Sequence, residues 1–303
     1  MTGGAGFIGS HLAHALIEAG HEVRVLDNLS TGRRANLAGG ADAELVEADV
    51  RCPTPLGRAM RGVEAVFHVA ALPSVPRSYR DPVTTLACNA HGTANVVEAA
   101  IVAGAHTFVY SSSSSVYGDQ AAVRKSEQMD PAPISPYAYS KLLGEKIAHA
   151  HGRRGDLRVV TLRYFNVFGP RQDPDSAYAA VIPRFIKAAL EGRPVTVHGD
   201  GLQTRDFTYV SNVVSANLRA LDSPACDAVF NVACGRAVKL THLVEAISGL
   251  RGRPLEVVRA EPRAGDIRHS LADCRRAEAL IGYRPEVDFD TGLRLTYEWF
   301  SGR

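Results

Sequence analysis

Short apolar runs rich in β-branched residues alternate with longer stretches of helical periodicity over the first two-thirds of the chain. The predicted strands are 22–26, 43–47, 65–69, 107–111 and 159–163, and the predicted helices include 10–19, 83–103 and 137–151. Strands that alternate with helices are typical of βαβ units and a parallel sheet. The strands are almost continuously apolar, as expected when helices cover both faces of the sheet. The pattern predicts an α/β fold built on a doubly wound parallel sheet.

The last third of the chain loses this rhythm. It contains turns at 191–194 and 199–201, one short predicted strand at 229–232, and predicted helices at 241–248, 275–281 and 291–300. We therefore predict a nucleotide-binding domain at 1–168 and a smaller α/β substrate lobe at 169–303. A segment near 204–217 is expected to return to the first domain.

Composition narrows the class of protein. The chain has 303 residues, 46% hydrophobic and 22% charged, with a net charge of +2 and no basic block, so nucleic acid is not an expected partner. Its five cysteines form no CxxC pair, which argues against a zinc site or a disulfide framework and favours a reducing compartment. No apolar run reaches the roughly 20 residues of a membrane span. No signal peptide precedes the first motif, so we expect a cytoplasmic protein. The cysteine pattern leads us to expect no metal.

The chain opens on a glycine-rich motif with Gly3, Gly6 and Gly9 in GxxGxxG spacing. Glycine lets the backbone approach a pyrophosphate, and the following helix directs its positive end at the charge. Asp27 ends the next predicted strand, where a carboxylate accepts hydrogen bonds from an adenosine ribose and repels a 2′-phosphate. Asn28, rather than an arginine, follows it. The combination predicts a Rossmann-type domain that binds NAD rather than NADP.

The position of this motif is unusual, since only Met1 and Thr2 precede it and the central strand of the sheet should stand there. Either the chain is genuinely short, or its start has been assigned too late. We favour the second explanation, in which a valine-like position before Thr2 corresponds to a GTG start codon.

The segment 137–141 reads Tyr-Ala-Tyr-Ser-Lys, so Tyr137 and Lys141 share one helix face. An ammonium beside a phenol favours the phenolate, lowers the tyrosine pKa and creates a base for an alcohol proton. YxxxK alone is a weak signal, because a surface tyrosine beside a solvated lysine gives the same pattern. A serine-rich strand end about 25 residues upstream strengthens the catalytic interpretation, because a serine hydroxyl can donate to the same oxygen.

Several longer motifs extend along the chain. They are TGGAGFIGSHL at 2–12, DNLSTG at 27–32, HVAA at 68–71, SSSSSVYGD at 111–119, SPYAYSK at 135–141, RYFNVFGPRQ at 163–172, TRDFTYV at 204–210 and RAGDIRHSLAD at 263–273. With these motifs the chain resembles the extended short-chain dehydrogenases, specifically the nucleotide-sugar epimerases and dehydratases.

The resemblance implies a catalytic set of Ser113, Tyr137 and Lys141, with Ser112 or Ser114 as alternatives for the serine. It also implies a cofactor site in which Asp49 and Val50 lie at the adenine and Lys141 at the nicotinamide ribose. The residues expected at the cofactor are Gly3, Gly6, Phe7, Ile8, Gly9, Asp27, Asn28, Ser30, Gly32, Asp49, Val50, Ala70, Ala71, Tyr137, Lys141 and Tyr164.

The resemblance further implies a site for a UDP sugar. Arg205 and Arg263 resemble pyrophosphate contacts, Asp266 a ribose contact, and Asn166 a ligand of the sugar or its first phosphate. Ser270 occupies a position that gates the sugar pocket in similar enzymes, where a small residue leaves room for a substituent. Ser74, Arg77 and Ser113 complete the expected substrate contacts.

The reaction follows from what is missing beside the catalytic hydroxyl. Related dehydratases carry Asp-Glu there and related decarboxylases carry Glu, whereas this chain has Ser114 and Ser115. Dehydration is therefore not expected. The remaining reaction is oxidation at C4, rotation of the keto sugar and re-reduction, which together are NAD-dependent 4-epimerisation.

The expected substrate is a UDP-N-acetylhexosamine. A UDP-glucuronate or UDP-galacturonate 4-epimerase is the main competing hypothesis, because a small gate with Arg77 also suits a carboxylate. A non-catalytic NAD-binding regulator and a dehydrogenase that releases NADH are two further hypotheses.

The predicted helices 83–103 and 137–151 are rich in alanine, which permits close helix packing. Similar proteins pair two such helices with those of a second copy. We therefore expect a homodimer, with Ala87, Ala90, Ala94, Ala99, Ala100, Ala148 and Ala150 as the small residues; packing of these alanines on the protomer's own sheet is the alternative.

Overall fold

A computed structural model describes residues 1–38, 43–122, 124–176, 179–261 and 267–302. Its strands are β1 (Arg24–Asp27), β2 (Glu44–Glu47), β3 (Ala65–His68), β4 (Thr107–Ser113), β5 (Arg158–Tyr164), β6 (Val167–Phe168), β7 (Val195–His198), β8 (Thr204–Arg205), β9 (Thr208–Tyr209), β10 (Ala228–Val232), β11 (Val238–Lys239) and β12 (Val257–Ala260).

The largest sheet is parallel, and Thr2 lies at its centre, paired with both Leu26 and His68. The strands on one side of Thr2 run in the order β1-β2, and those on the other in the order β3-β4-β5-β10. The chain therefore winds outward in both directions from Thr2, which confirms the predicted doubly wound sheet.

Helices cover both faces of this sheet, as the apolar strands predict. Neighbouring residues of β5 face opposite sides of the sheet, since Val159 belongs to the hydrophobic cluster on one side and Val160 to the cluster on the other. The helices are α1 (Phe7–Glu18), α2 (Pro53–Ala59), α3 (Val75–Arg80), α4 (Pro82–Leu86), α5 (Gly92–Val102), α6 (Pro136–Arg154), α7 (Val181–Leu190), α8 (Val210–Asp222), α9 (Leu240–Arg251), α10 (Arg275–Ile281) and α11 (Phe289–Ser301).

The predicted helix 83–103 is present but is not regular. A π-turn at Ala87–His91 joins α4 to α5. Its residue Asn89 is buried and binds across to the loop after β3, accepting from Leu72 N (2.7 Å) and donating to Leu72 O (3.3 Å). Asn89 also donates to Ser140 Oγ on α6 (3.0 Å). Hydrophobic periodicity does not predict such a turn, because the apolar residues on both sides keep a helical pattern.

The C-terminal lobe has its own core, formed by α7, α9 and α11 against the β7–β12 pair. Helix α7 and both strands were not predicted. Pro183 obscures α7 in the sequence, although proline is tolerated in the first turn of a helix. Strands β7 and β12 pair across about sixty residues of sequence, which local patterns do not indicate.

The segment after Arg205 contributes to both cores. Phe207 and Val210 lie in the C-terminal cluster, whereas Val213 and Val214 on α8 pack with Leu12 in the N-terminal domain. The division at residue 168, with a return near 204–217, is kept as a proposal. Among the described residues, no helix is both long and apolar enough to cross a membrane.

Candidate active site

The glycine-rich loop is folded so tightly that a side chain is excluded at Gly3 and Gly9. Gly3 has a φ of 73°, and a Cβ there would lie 2.5 Å from Ala70 N. A Cβ on Gly9 would overlap the carbonyl oxygen of Gly3. Gly6 caps α1, so the first free N–H groups of the helix face the loop. This cradle fits the pyrophosphate of a dinucleotide, which would lie at the positive end of α1.

One cleft runs from this cradle along the ends of the parallel strands. Eleven of the predicted cofactor residues line it, namely Gly3, Gly6, Phe7, Ile8, Gly9, Asp27, Asn28, Ser30, Val50, Ala70 and Ala71. Leu26, Thr31, Ala48, Val69, Leu72, Pro73 and Cys88 also line it, and the sequence analysis did not single them out. Gly32 lies at the edge, where a Cβ would come within 3.0 Å of Asp27 Oδ1. The cleft lies at the point where the strand order reverses, which is where such folds bind nucleotides.

Asp27 is buried and organises the loops beside it. Its Oδ2 accepts from Ala5 N (2.9 Å) and its Oδ1 from Leu29 N (2.9 Å). A carboxylate has about four acceptor positions, so capacity is left for ribose hydroxyls. Leu29 has a φ of 56°, an uncommon conformation that this bond helps to hold.

Asp49 lies between Ala48 and Val50, which line the cleft, and beside Asn28. Its carboxylate accepts from Asn28 Nδ2 (2.7 Å) and from Arg51 Nε (2.9 Å) and Nη2 (2.7 Å). The hydrogen bonds from Arg51 hold the pKa of Asp49 well below its usual range. The carboxylate is therefore fixed as an acceptor, and Arg51 is a participant that the sequence analysis missed.

The serine run at the end of β4 divides its hydroxyls among three partners. Ser111 Oγ hydrogen-bonds to the Tyr164 hydroxyl (2.9 Å), Ser112 Oγ donates to Glu145 Oε1 (2.5 Å), and Ser113 Oγ lowers the pKa of the Tyr137 phenol. Ser113 also caps the short 3₁₀ turn Ser114–Tyr117 by accepting from Ser115 N (3.2 Å). Of the serines considered for catalysis, Ser113 is the one that influences the Tyr137 phenol.

Helix α6 carries Tyr137 and Lys141. Ser135 caps it by accepting from Ala138 N (3.2 Å), and Pro136 occupies its first position. Burial lowers the pKa of Lys141 to about 8, and the nearby Glu145 opposes this change. Burial raises the pKa of Tyr137, while the hydrogen bond from Ser113 lowers it. The predicted lowering of the Tyr137 pKa is therefore wrong for the protein alone, because desolvation of the phenol outweighs its polar neighbours.

Tyr164 was expected at the cofactor, but its hydroxyl is used inside the protein. It is bonded to Ser111 and accepts from Asn217 Nδ2 (2.8 Å). Tyr164 is 7% exposed. A contact between this residue and the cofactor would therefore have to use its backbone.

The predicted substrate residues lie on several loops. Asn166 has a φ of 32° and donates from Nδ2 to Asp206 O (3.2 Å). Arg205 lies on β8 and donates from Nη1 to the carbonyls of Thr204 (2.9 Å) and Arg268 (3.3 Å). Ser270 is buried beside this strand, and its N–H donates to Thr204 O (3.2 Å). Arg263 and Asp266 lie outside the described residues.

Ser74 and Arg77 lie at the start of α3. The Ser74 hydroxyl caps this helix by accepting from Arg77 N (3.1 Å), which gives it a structural role. Arg77 is partly buried.

Two buried carboxylates were missed by the sequence analysis. Asp206 accepts from the N–H groups of Cys234 (3.0 Å), Gly235 (3.1 Å) and Ala272 (3.1 Å), and burial raises its pKa to about 6. It fixes the segment that carries Arg205 to the rest of the lobe. Glu145 binds Arg163 on β5. Its position four residues after Lys141, on the same helix face, could have indicated it in the sequence.

Comparison with known proteins gives the class. Residues 1–233 match the model of the NAD dependent epimerase/dehydratase family. The chain is 39% identical over 308 residues to a UDP-glucose 4-epimerase of Mycolicibacterium smegmatis, covering 100% of this chain and 98% of the relative. The chain therefore belongs to the NAD dependent epimerase/dehydratase family, which confirms the predicted family and the NAD cofactor.

Two solved structures are similar over nearly the whole chain. One is the UDP-N-acetylglucosamine 4-epimerase of Methanobrevibacter ruminantium in complex with UDP-N-acetylmuramic acid, with a TM-score of 0.95, 38% identity and coverage of 99% of this chain and 97% of the other. The other is MoeE5 in complex with UDP-glucuronic acid and NAD, with a TM-score of 0.91, 37% identity and coverage of 99% and 98%.

Proposed function

We propose that the protein is an NAD-dependent 4-epimerase of UDP sugars and that its substrate is a UDP-N-acetylhexosamine. The observation that carries the proposal is the placement of Tyr137 and Lys141 one turn apart on α6, with Ser113 lowering the pKa of the Tyr137 phenol, in a protein that also holds a glycine cradle suited to a dinucleotide. Ser114 and Ser115 follow Ser113, so no acid stands there to eliminate water. The family membership and the names of the similar proteins support this reaction.

In the proposed reaction, Tyr137 removes the proton of the sugar 4-hydroxyl, and Ser113 donates a hydrogen bond to the same oxygen. Lys141 supplies a positive charge that stabilises the phenolate. NAD, when bound, supplies the hydride acceptor and donor. The keto sugar then turns, and Tyr137 returns its proton to the oxygen when the opposite face of C4 has been presented.

Rotation requires that the nucleotide be gripped while the sugar is free. Arginine is suited to this grip because its fork donates paired hydrogen bonds to phosphate oxygens. We assign Arg205 and Arg263 to the pyrophosphate, Asp266 to the uridine ribose, and Asn166 to the sugar or first phosphate. The uncommon backbone of Asn166 and its bond to Asp206 O support a functional position for this residue.

Ser270 supports the choice of a substituted sugar. Its side chain is small and buried beside β8, so it occupies less of this region than a larger residue would. The similar enzyme from M. ruminantium is named for UDP-N-acetylglucosamine. A hexuronate is the second candidate, because Arg77 carries a charge that can bind a carboxylate and MoeE5 was solved with UDP-glucuronic acid.

The experiment is to incubate the enzyme with UDP-hexoses, UDP-N-acetylhexosamines and UDP-hexuronates and to separate the epimers. We expect kcat/KM to be highest for the N-acetylated pair. Preference for hexuronates would replace the substrate but keep the reaction. Stoichiometric NADH release would indicate a dehydrogenase, and absence of turnover with every sugar would favour a non-catalytic regulator.

We also propose that the enzyme is a homodimer. The outer faces of α3, α4 and α6, together with the loop before α6, expose large apolar side chains that include Tyr79, Val83, Leu86, Ile134, Tyr139 and Leu143. A monomer seldom exposes so many together. The alanine argument needs correction, because Ala90, Ala100 and Ala148 are buried within the protomer.

All five cysteines are free thiols, which supports a reducing, cytoplasmic location.

A further inference from the structure

Glu145 and Arg163 form an ion pair inside the protein. Arg163 donates from Nε to Glu145 Oε1 (2.9 Å) and from Nη2 to Oε2 (2.7 Å), and the two side chains are only 5% and 4% exposed. Ser112 donates a third hydrogen bond to Oε1 (2.5 Å). Paired bonds of this type fix the carboxylate in orientation as well as in position.

This carboxylate joins the segments that carry the proposed catalytic groups. Glu145 lies one helical turn after Lys141 and two turns after Tyr137 on α6. Ser112 immediately precedes Ser113 on β4, and Arg163 lies on β5, three residues before Asn166. The Glu145 side chain therefore links α6 to β4 through Ser112 and to β5 through Arg163.

The pair also places a negative charge near the buried ammonium of Lys141. The titratable groups that interact with Lys141 are Glu145 on α6, Cys88 on the π-turn, His68 on β3 and Tyr110 on β4, and Tyr137 lies one turn before it on the same helix. Burial favours the neutral amine, and Glu145 contributes most among the groups that favour the ammonium. Arg163 is itself held over the ring of Tyr117, 4.8 Å from the centroid.

We propose that Glu145 is a positioning residue for epimerisation, which aligns Tyr137 and Lys141 with Ser113 through Ser112 and Arg163 and holds its carboxylate one helical turn from Lys141. The inference rests on the proposed function, because it assigns Glu145 a role through the groups named there. A purely structural tether would not require a charge, since apolar side chains can replace a buried ion pair without loss of stability.

The chain offers a matched control on the same helix. His149, one turn beyond Glu145, pairs with Asp227 and hydrogen-bonds to Thr161 on β5 (2.9 Å). The His149–Thr161 bond also ties α6 to β5, and the pair with Asp227 holds the His149 ring in place for it. His149 lies two turns from Lys141. Asp227→Asn should therefore weaken a tether without changing the charge beside Lys141.

The test compares Glu145→Gln, Ser112→Ala and Asp227→Asn as NAD-loaded enzymes. The measurements are thermal unfolding, kcat and KM for the best UDP sugar, the pH profile of kcat, and carbon NMR titration of the Lys141 side chain. For Glu145→Gln we expect kcat to fall about ten-fold or more, with KM changed little and Lys141 titrating at lower pH than in wild type. Ser112→Ala should fold normally and lose kcat by a smaller factor, without moving the titration of Lys141.

Folded Glu145→Gln with wild-type kcat and an unmoved Lys141 titration would overturn the proposal. An equal loss of kcat in Asp227→Asn would also overturn it, because any tether of α6 would then have the same effect. If Glu145→Gln does not fold, Ser112→Ala decides, and unchanged kcat in that variant counts against the alignment. If wild type turns over no UDP sugar while the Lys141 titration still shifts, the proposed function fails and the control of Lys141 by Glu145 is retained.

Discussion

The ammonium of Lys141 lies over the ring of Tyr110, 4.5 Å from its centroid. Gly144 allows this approach, because a Cβ at that position would overlap the Tyr110 hydroxyl. Tyr110 is fully buried, so the charge rests on an aromatic face away from water, where such contacts are strongest. The cation is therefore held in place before any substrate binds.

Tyr137→Phe should abolish most of the turnover while leaving the fold and NAD binding unchanged. The substitution removes only the hydroxyl, and loss of a general base costs about 100-fold or more in rate. Steady-state kinetics with the best UDP sugar and titration of NAD into stripped protein measure both effects. Tyr139→Phe is the control, since Tyr139 lies on the same helix with its side chain 57% exposed. A near-normal rate for Tyr137→Phe would remove the residue from the mechanism.

Asp27 should select NAD over NADP, because its buried carboxylate repels a 2′-phosphate. We expect wild type to bind NAD at least about ten-fold more tightly, which corresponds to ~1.4 kcal/mol. Asp27→Asn should narrow this ratio and also lower stability, since Asp27 accepts from Ala5 N and Leu29 N. Equal Kd values for the two cofactors with wild-type protein would refute the assignment.

His68 should make the fold sensitive to acid. Its ring is buried between Thr2 Oγ1 (2.6 Å) and Thr93 Oγ1 (2.9 Å), and burial lowers its pKa to about 3. Below about pH 6.5 the unfolded chain takes up a proton on this histidine that the folded protein does not bind until near its own pKa. The stability contributed by His68 is therefore fully present above about pH 6.5 and is lost as the pH falls toward the folded-state pKa of about 3.

Between about pH 6.5 and pH 5 the expected loss in the free energy of unfolding is roughly 1.5 kcal/mol. Denaturant unfolding at several pH values measures it. His68→Gln should unfold more easily but with a flatter pH dependence, and His21→Asn, at an exposed position, should keep the wild-type dependence. The same slope in His68→Gln would show that another group is responsible.

Ser270→Tyr should discriminate against substituted sugars. A buried ring added beside β8 creates strain of typically about 1–3 kcal/mol, and the substituent at C2 or C6 sweeps extra volume as the keto sugar turns. The corresponding loss in kcat/KM is roughly 5- to 150-fold for N-acetylated substrates, with UDP-glucose and UDP-galactose affected less. Ser270→Ala keeps the volume and serves as the control. Equal losses for plain and substituted sugars would mean that Ser270 does not gate the pocket.

Leu143→Asp should convert the dimer to a monomer. Leu143 is 47% exposed on α6 and lies within the apolar face proposed as the interface, where a buried carboxylate would lack a partner. Light scattering at micromolar concentration measures the mass. The comparable change at Leu202, which is 46% exposed in the C-terminal lobe, is the control. A monomeric wild type would contradict the proposed dimer.

The sequence predicted those parts of the structure that local chemistry controls. Gly3 and Asp27 line one cleft, as predicted, because tight turns and strand ends have strong residue preferences. The register of Ser113 could not be chosen from a run of identical serines, because it depends on contacts with α6. Glu145 and Arg163 were missed as a pair, since they are 18 residues apart and resemble ordinary surface charges until the fold buries them.

The π-turn at Ala87–His91 has a consequence for chain length. A helix advances about 100° per residue, so deleting one residue from this turn would rotate the whole of α5 with respect to α4. Asn89 would then no longer reach Leu72 and Ser140 together, and Ser140 directly precedes Lys141. Asn89 thus crosslinks the loop that lines the cleft to α6. This part of the chain should tolerate exchanges of side chains on its outer surface far better than any change in its number of residues.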